Sequence, residues 1–256
     1  MPAYVLTEMT WPEAKEAFQT AVLAIVPVGA QEQHGPHLKM SCDAVLATEM
    51  ARRLAERLYP HAVVTPTVNM GVSPHHLNFP GTITLHPETL IRLVGDIVRS
   101  LNHHGFRRFL LLNAHGGNQA TLQVAATALA TELDVAVYVA KTTASAKEAL
   151  RAHIASPLYG HACEREVSEA LYLAPQLVHP ARLEAGAIRE GTWRHLRPGG
   201  ALQGFYRYEE MTENGCLGDA RRASAAIGRA LVEEALDNLE AALRAVLGLT
   251  ERQAQA

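Results

Sequence analysis

Apolar residues fall into two patterns along the chain: short unbroken runs, and longer stretches with helical spacing. Ala21 to Val28, rich in Val and Ile, has strand length and stops at Gly29. From Asp43 to Leu58 the apolar positions recur at helical spacing, with Arg52, Arg53, Glu56 and Arg57 on the wet face, which predicts a helix. Ala62 to Val68 reads as a second strand, followed by a Gly/Pro/His-rich loop from Met70 to Gly81. Pro87 is placed to open a helix that runs to about His104. Arg107 to Asn113, centred on Phe109-Leu110-Leu111-Leu112, predicts a buried strand, and His115-Gly116-Gly117 turns it into a helix over Asn118 to Leu133. Val135 to Ala140 predicts another strand, Glu164 to Leu173 a helix, and Asp219 to Leu247 a long Ala/Leu-rich helix. The Gly/Pro-rich stretch Gly191 to Gly218 belongs either to the body of the domain or to an arm used for oligomer contacts.

Strands alternating with helices predict a single-domain α/β fold, with a mostly parallel sheet and helices on both faces. No repeat or linker divides the chain, so one domain is expected over residues 1–249, with a polar tail at 250–256. The 256 residues are 48% hydrophobic and 19% charged, enough for a substantial core. A net charge of −3 argues against a nucleic-acid partner, which needs a concentrated basic surface. No apolar run reaches the roughly 18 residues that span a bilayer, and Met1-Pro2-Ala3-Tyr4 lacks the start of a secretory signal. Cys42, Cys163 and Cys216 make neither a disulfide framework nor a CxxC site, so a cytoplasmic location and no membrane partner are expected.

The 13 histidines change the picture, because several sit beside carboxylates where strands end. Open α/β sheets bind ligands at the carboxyl ends of their strands. Glu32 and His34 follow the first strand two residues apart and point the same way in an extended chain. Asp43 starts the next helix, either as its cap or as a carboxylate facing the same crevice and bridging two ions. His115 leaves another strand end beside two glycines. In His161-Ala162-Cys163-Glu164-Arg165-Glu166, one of the two glutamates can face the site, since residues two apart do not share a helix face. Each residue alone has a plain structural reading; their joint placement predicts a metal site with mixed N/O ligands. Ser73, His75, His76, Gly116 and Gly117 are candidates to line a substrate pocket. No nucleotide fingerprint and no nucleophile-elbow serine is present.

The string Val26-Pro27-Val28-Gly29-Ala30-Gln31-Glu32-Gln33-His34-Gly35-Pro36-His37-Leu38, with Asp43, closely resembles the first signature of the creatininase (creatinine amidohydrolase) family. Asn113-Ala114-His115-Gly116-Gly117-Asn118 resembles its NGHGGN segment, Phe79-Pro80-Gly81-Thr82 its FPGT turn, and His161-Ala162 with Glu166 and Ser168 its HAGxxETS segment. The matches run in order from about residue 26 to 228. The resemblance implies a three-layer α/β/α fold, a homo-oligomer (a hexamer in many members), and two divalent ions per subunit, zinc, manganese or iron. It implies that Glu32, Asp43 and His115 hold one ion and His34, Asp43 and Glu166 the other. A water bridging the two would attack the scissile bond, with His161 and Glu166 as catalytic residues and His161 handling protons or stabilising the tetrahedral intermediate.

In creatininase itself Tyr and Glu follow the metal histidine of the NGH segment, the Glu being a ligand; here Gly116 and Gly117 stand there, which moves that role to Glu166. Pro157 and Leu158 replace its Trp-Asp pair, Val167 its Thr and Cys163 its Gly. The expected function is therefore C–N hydrolysis of a different small cyclic amide or formamide-like substrate. Ring-opening C–C hydrolysis of a cyclic ketone from sugar or inositol breakdown is the first alternative, and a non-catalytic metal-binding protein that kept the fold is the second.

Overall fold

Five strands of the computed structural model, Tyr4–Val5 (β1), Leu23–Val28 (β2), Ala62–Val64 (β3), Arg108–Asn113 (β4) and Ala136–Lys141 (β5), form a parallel sheet in the order β1-β3-β2-β4-β5. Residues 2–197 and 201–249 are described; the polar tail expected at 250–256 lies outside them. Among the described residues the helices are Trp11–Ala17 (α1), Cys42–Arg57 (α2), Pro87–His103 (α3), Gln119–Leu133 (α4), Lys147–His153 (α5), Glu164–Leu173 (α6), Tyr208–Met211 (α7) and Ala225–Leu247 (α8). None is long and apolar enough to cross a membrane.

Every residue of β2 is buried, which explains its unbroken apolar run: a parallel strand covered on both faces has no wet side. Successive side chains divide between two cores, as the pleat requires. Leu23 and Ile25 of β2 and Leu110 and Leu112 of β4 pack with α2 and α8. Ala24, Val26 and Val28, with Phe109 and Leu111, pack with α3 and α4. The outcome is the expected three-layer α/β arrangement.

Several boundaries differ from the sequence expectation. β3 stops at Val64, because Pro66 brings no N–H to a ladder, and Val68 makes only an isolated bridge to Val28. The final helix starts at Ala225 rather than Asp219: Ser224 caps it by accepting from Ile227 N at 3.2 Å, while Asp219 caps a separate short turn. β1, α1 and α5 were not expected; two to seven residues give too little periodicity to read.

Two features of this frame position the site. Val28 pairs with Asn113, so the loops leaving β2 and β4 emerge side by side. A Cβ at Gly29 would collide with the backbone of Ala44, so only glycine lets the start of α2 close onto the end of β2 and carry Asp43 there. On the far side Gly228 lets α8 lie against Ser168 O of α6, the helix that carries Glu166.

Candidate metal centre

The loop after β2 turns Glu32 and His34 inward, and both are buried. His34 donates Nδ1–H to its neighbour's carbonyl, Glu32 O, at 3.2 Å, and its Nε2 lies 3.2 Å from Asp43 Oδ1. His115, just past β4, is held through Nε2 by Val72 O at 3.1 Å, with Ser73 Oγ at 3.2 Å. Its Nδ1 lies 3.2 Å from Glu32 Oε1 and 3.1 Å from Asp43 Oδ2. His161 donates Nε2–H to Gln33 O at 2.7 Å, leaving Nδ1 3.7 Å from Glu32 Oε1 and 4.0 Å from Glu166 Oε2.

A carbonyl oxygen only accepts, so in each neutral ring the proton sits on the carbonyl side and a lone pair faces carboxylate oxygens. At about 3 Å that approach is repulsive unless a proton or a cation lies between. Glu32 Oε2 and Asp43 Oδ2 are buried without an aligned hydrogen bond among the described residues. Imidazoles anchored at one nitrogen and converging with unpaired carboxylate oxygens are the donor set of a divalent transition ion, and these residues fit one.

The electrostatics agree. Burial opposes charge on His34, but the Asp43 carboxylate and its hydrogen bond prevail and lift the imidazole to about 9. Burial opposes charge on His115 too, yet Glu32 and Asp43 carry it well above its usual value. Burial would raise Asp43, but His34 and His115 hold it below the carboxylate range. Burial drives His161 and His76 well below the ordinary imidazole value and His75 to about 4. The cluster thus demands positive charge at two of its imidazoles and keeps the others neutral.

Asp43 is not the cap of α2; Ser41 stands at that position. One Asp43 oxygen serves His34 and the other His115, the arrangement a bridging carboxylate needs. Glu166 faces the cavity on α6. Its Oε2 accepts from Ala162 N at 2.5 Å, its Oε1 accepts from Arg165 Nη2 at 2.8 Å, and it groups with His34 and His161 within 4.8 Å. Glu32, His34 and Asp43 form another such group. Glu164 is turned away, accepting from Ser156 N at 2.9 Å and Asp219 N at 3.0 Å. Glu164→Gln is therefore expected to cost about 1–3 kcal/mol of stability in a denaturant titration, with metal content unchanged.

His75, His76, Gly116 and Gly117 line a cavity of about 500 Å³ above the cluster. Ser73 does not; it is fully buried behind His115, which corrects its assignment to the pocket. His37 holds Ala162 O at 2.8 Å and so steadies the loop before α6. The stretch Gly191 to Gly218 contributes to the cavity wall. Within it Trp193, Tyr208, Met211 and Leu217 form a small core, while Phe205, Tyr206 and Tyr208 line the cavity. The Tyr208 ring stacks on His76 at 3.9 Å and meets His161 edge-on at 4.9 Å. Tyr208, Gln33, Lys141 and Arg165 were not picked out from the sequence. The pair Tyr206 and Tyr208 inside a Gly/Pro-rich stretch was the one available signal.

The family described as creatininase, creatinine amidohydrolase, matches residues 7–243. The chain is 42% identical to the creatinine amidohydrolase of Pseudomonas putida over 118 residues, which spans 43% of this chain and 44% of that protein. It is 30% identical to the mycofactocin precursor peptide peptidase of Mycobacterium ulcerans (strain Agy99) over 91% of this chain and 89% of that one. It is 34% identical to the 3-dehydro-scyllo-inosose hydrolase of Thermotoga maritima over 42% of this chain and 34% of that protein. Among solved structures, a creatinine amidohydrolase superposes with a TM-score of 0.85 at 27% identity, covering 98% of this chain and 100% of that one. A manganese creatininase gives 0.83 at 28%, and a mutant creatininase of the Zn-Zn type 0.82 at 28%, each covering 96% of this chain and 99% of the other.

Proposed function

The chain belongs to the creatininase family of metal-dependent hydrolases, and from that premise we propose that it cleaves a C–N bond in a small cyclic amide or formamide-like substrate. The observation that carries the reading is the buried convergence of Glu32, Asp43, His34 and His115 beneath an open cavity, where Glu32 Oε2 and Asp43 Oδ2 have no aligned hydrogen bond among the described residues. Glu32, Asp43 and His115 would hold one divalent ion, and His34, Asp43 and Glu166 a second; zinc is the first candidate, then manganese or iron. Ions there supply Lewis acidity toward a carbonyl and make water acidic.

The remaining work falls to side chains. Neutral His161, with its Nε2–H donated to Gln33 O, offers Nδ1 as proton acceptor from water and then as donor to the leaving nitrogen. Arg165 donates to Glu166 Oε1 and aims that carboxylate. Gly116 leaves open space where a side chain would enter the cavity, giving the substrate room beside His115. The near full-length similarity to a peptide peptidase supports C–N cleavage. Ring-opening C–C hydrolysis stands as the second reading, supported by the inosose hydrolase of Thermotoga maritima.

Product analysis separates the two. Metal-loaded protein is incubated with cyclic amides, formamides, short peptides and cyclic ketones, and released amine and ring-opened acid are quantified. Amine release that stops with a chelator and returns with zinc or manganese is expected. Ring opening of a ketone with no amine released from any amide would replace the first reading with the second.

A further inference from the structure

Three imidazoles of the site are anchored on main-chain carbonyls, and His76 is anchored the opposite way. Gln33 Oε1 accepts from Gly35 N at 2.8 Å, and Gln33 Nε2 donates to Gly215 O at 3.1 Å. Two main-chain groups of opposite polarity thereby fix which end of the amide is nitrogen. The same Nε2 lies 2.9 Å from His76 Nδ1. An NH₂ group donates and cannot accept, so Nδ1 of His76 accepts and the ring proton resides on Nε2. That Nε2 lies 3.4 Å from Glu32 Oε1, a long contact between two side chains each 1% exposed. The Tyr208 ring, stacked at 3.9 Å, covers the imidazole and holds its plane.

His76 thus presents a proton to Glu32 where His115 and His161 present lone pairs. It groups with Glu32 and His161 closely enough to hold an ion, but both of its nitrogens are already committed, one to the Gln33 amide and one to its own proton. Resting on the metal-site reading above, we infer that His76 is a positioning residue: its Nε2–H faces Glu32 Oε1 and restrains that carboxylate beside His115, with the tautomer set by Gln33. Gly35 and Gly215, on two separate loops, are the fixed points of this chain of contacts.

The test is zinc affinity by competition with a chromophoric chelator, which needs no substrate. His76→Phe keeps the ring area and removes the donor; His76→Gln puts an amide donor near the former Nε2. Loss of an outer partner of a metal ligand costs about 10–100-fold in affinity, so the Phe variant should bind zinc that much more weakly, and the Gln variant within about threefold of the unsubstituted protein. Gln33→Met leaves the imidazole in place and frees its tautomer, and should weaken zinc by about threefold or more. It carries the test if the Phe variant does not fold, which circular dichroism of the zinc-free proteins reveals. Unchanged affinity in both His76→Phe and Gln33→Met overturns the inference, and so does a Gln variant as weak as Phe, since ring shape alone would then matter. Absence of zinc uptake by the unsubstituted chain is a different result: it removes the metal site itself and this role with it.

Discussion

Asp43→Asn is expected to weaken transition-metal binding by more than about a hundredfold, beyond what loss of an outer partner costs. Its two oxygens face different imidazoles, Oδ1 toward His34 and Oδ2 toward His115. An amide there keeps one acceptor, turns an NH₂ toward the other ring and removes the shared charge. Metal content by elemental analysis and affinity by chelator competition read the effect directly. The pH dependence adds a second readout. In the metal-free protein His34 is held up to about 9, so below that pH its proton must leave before Nε2 can bind an ion. Affinity should therefore rise with pH, about tenfold per unit for each proton displaced, and the share due to His34 should flatten as pH passes about 9. In Asp43→Asn the share due to His34 should disappear. A variant that retains metal with an unchanged pH slope would exclude Asp43 from the centre.

His161→Ala is expected to lower kcat by about 10²–10⁴ while leaving metal content near that of the unsubstituted enzyme. The role follows from its contacts: Nε2–H is spent on Gln33 O, and Nδ1 stands farther from carboxylate oxygens than the His115 nitrogen does. Burial, with the charge on His34, keeps the ring well below its ordinary value, so it is already an acceptor at neutral pH. The acid limb of the unsubstituted enzyme's rate profile should accordingly lie below the pH at which a free imidazole titrates. Loss of metal in this variant would instead make Nδ1 a ligand alongside His34 and Glu166, with which it groups within 4.8 Å.

Much of this was legible in the sequence, for reasons that differ by element. β2 and β4 announce themselves because strands buried on both faces have unbroken apolar runs, and the register of Val28 with Asn113 makes adjacent loops carry adjacent candidate ligands. Glu32, His34, Asp43 and His115 could be read together because each stands where a strand ends or a helix starts. The choice between Glu164 and Glu166 could not be read, since both open the same helix; it depends on two amides from other loops, Ser156 N and Asp219 N. Ser73 looked like a pocket residue in a polar loop, but the backbone turns it behind His115. The Gln33 and Tyr208 contacts were invisible because they close loops from distant parts of the chain, as in the 182-residue separation of Gln33 from Gly215.

The carbonyls that aim His34, His115 and His161 belong to the main chain of Glu32, Val72 and Gln33. Every amino acid has such a carbonyl, so the aim of these rings is not written in any side chain that a single codon change could delete. A library of random point variants should strike the candidate ligands themselves often and their tautomers hardly at all. His76 is the exception, because its partner is the Gln33 amide. There a heritable change at a neighbouring residue can retune an imidazole without touching it.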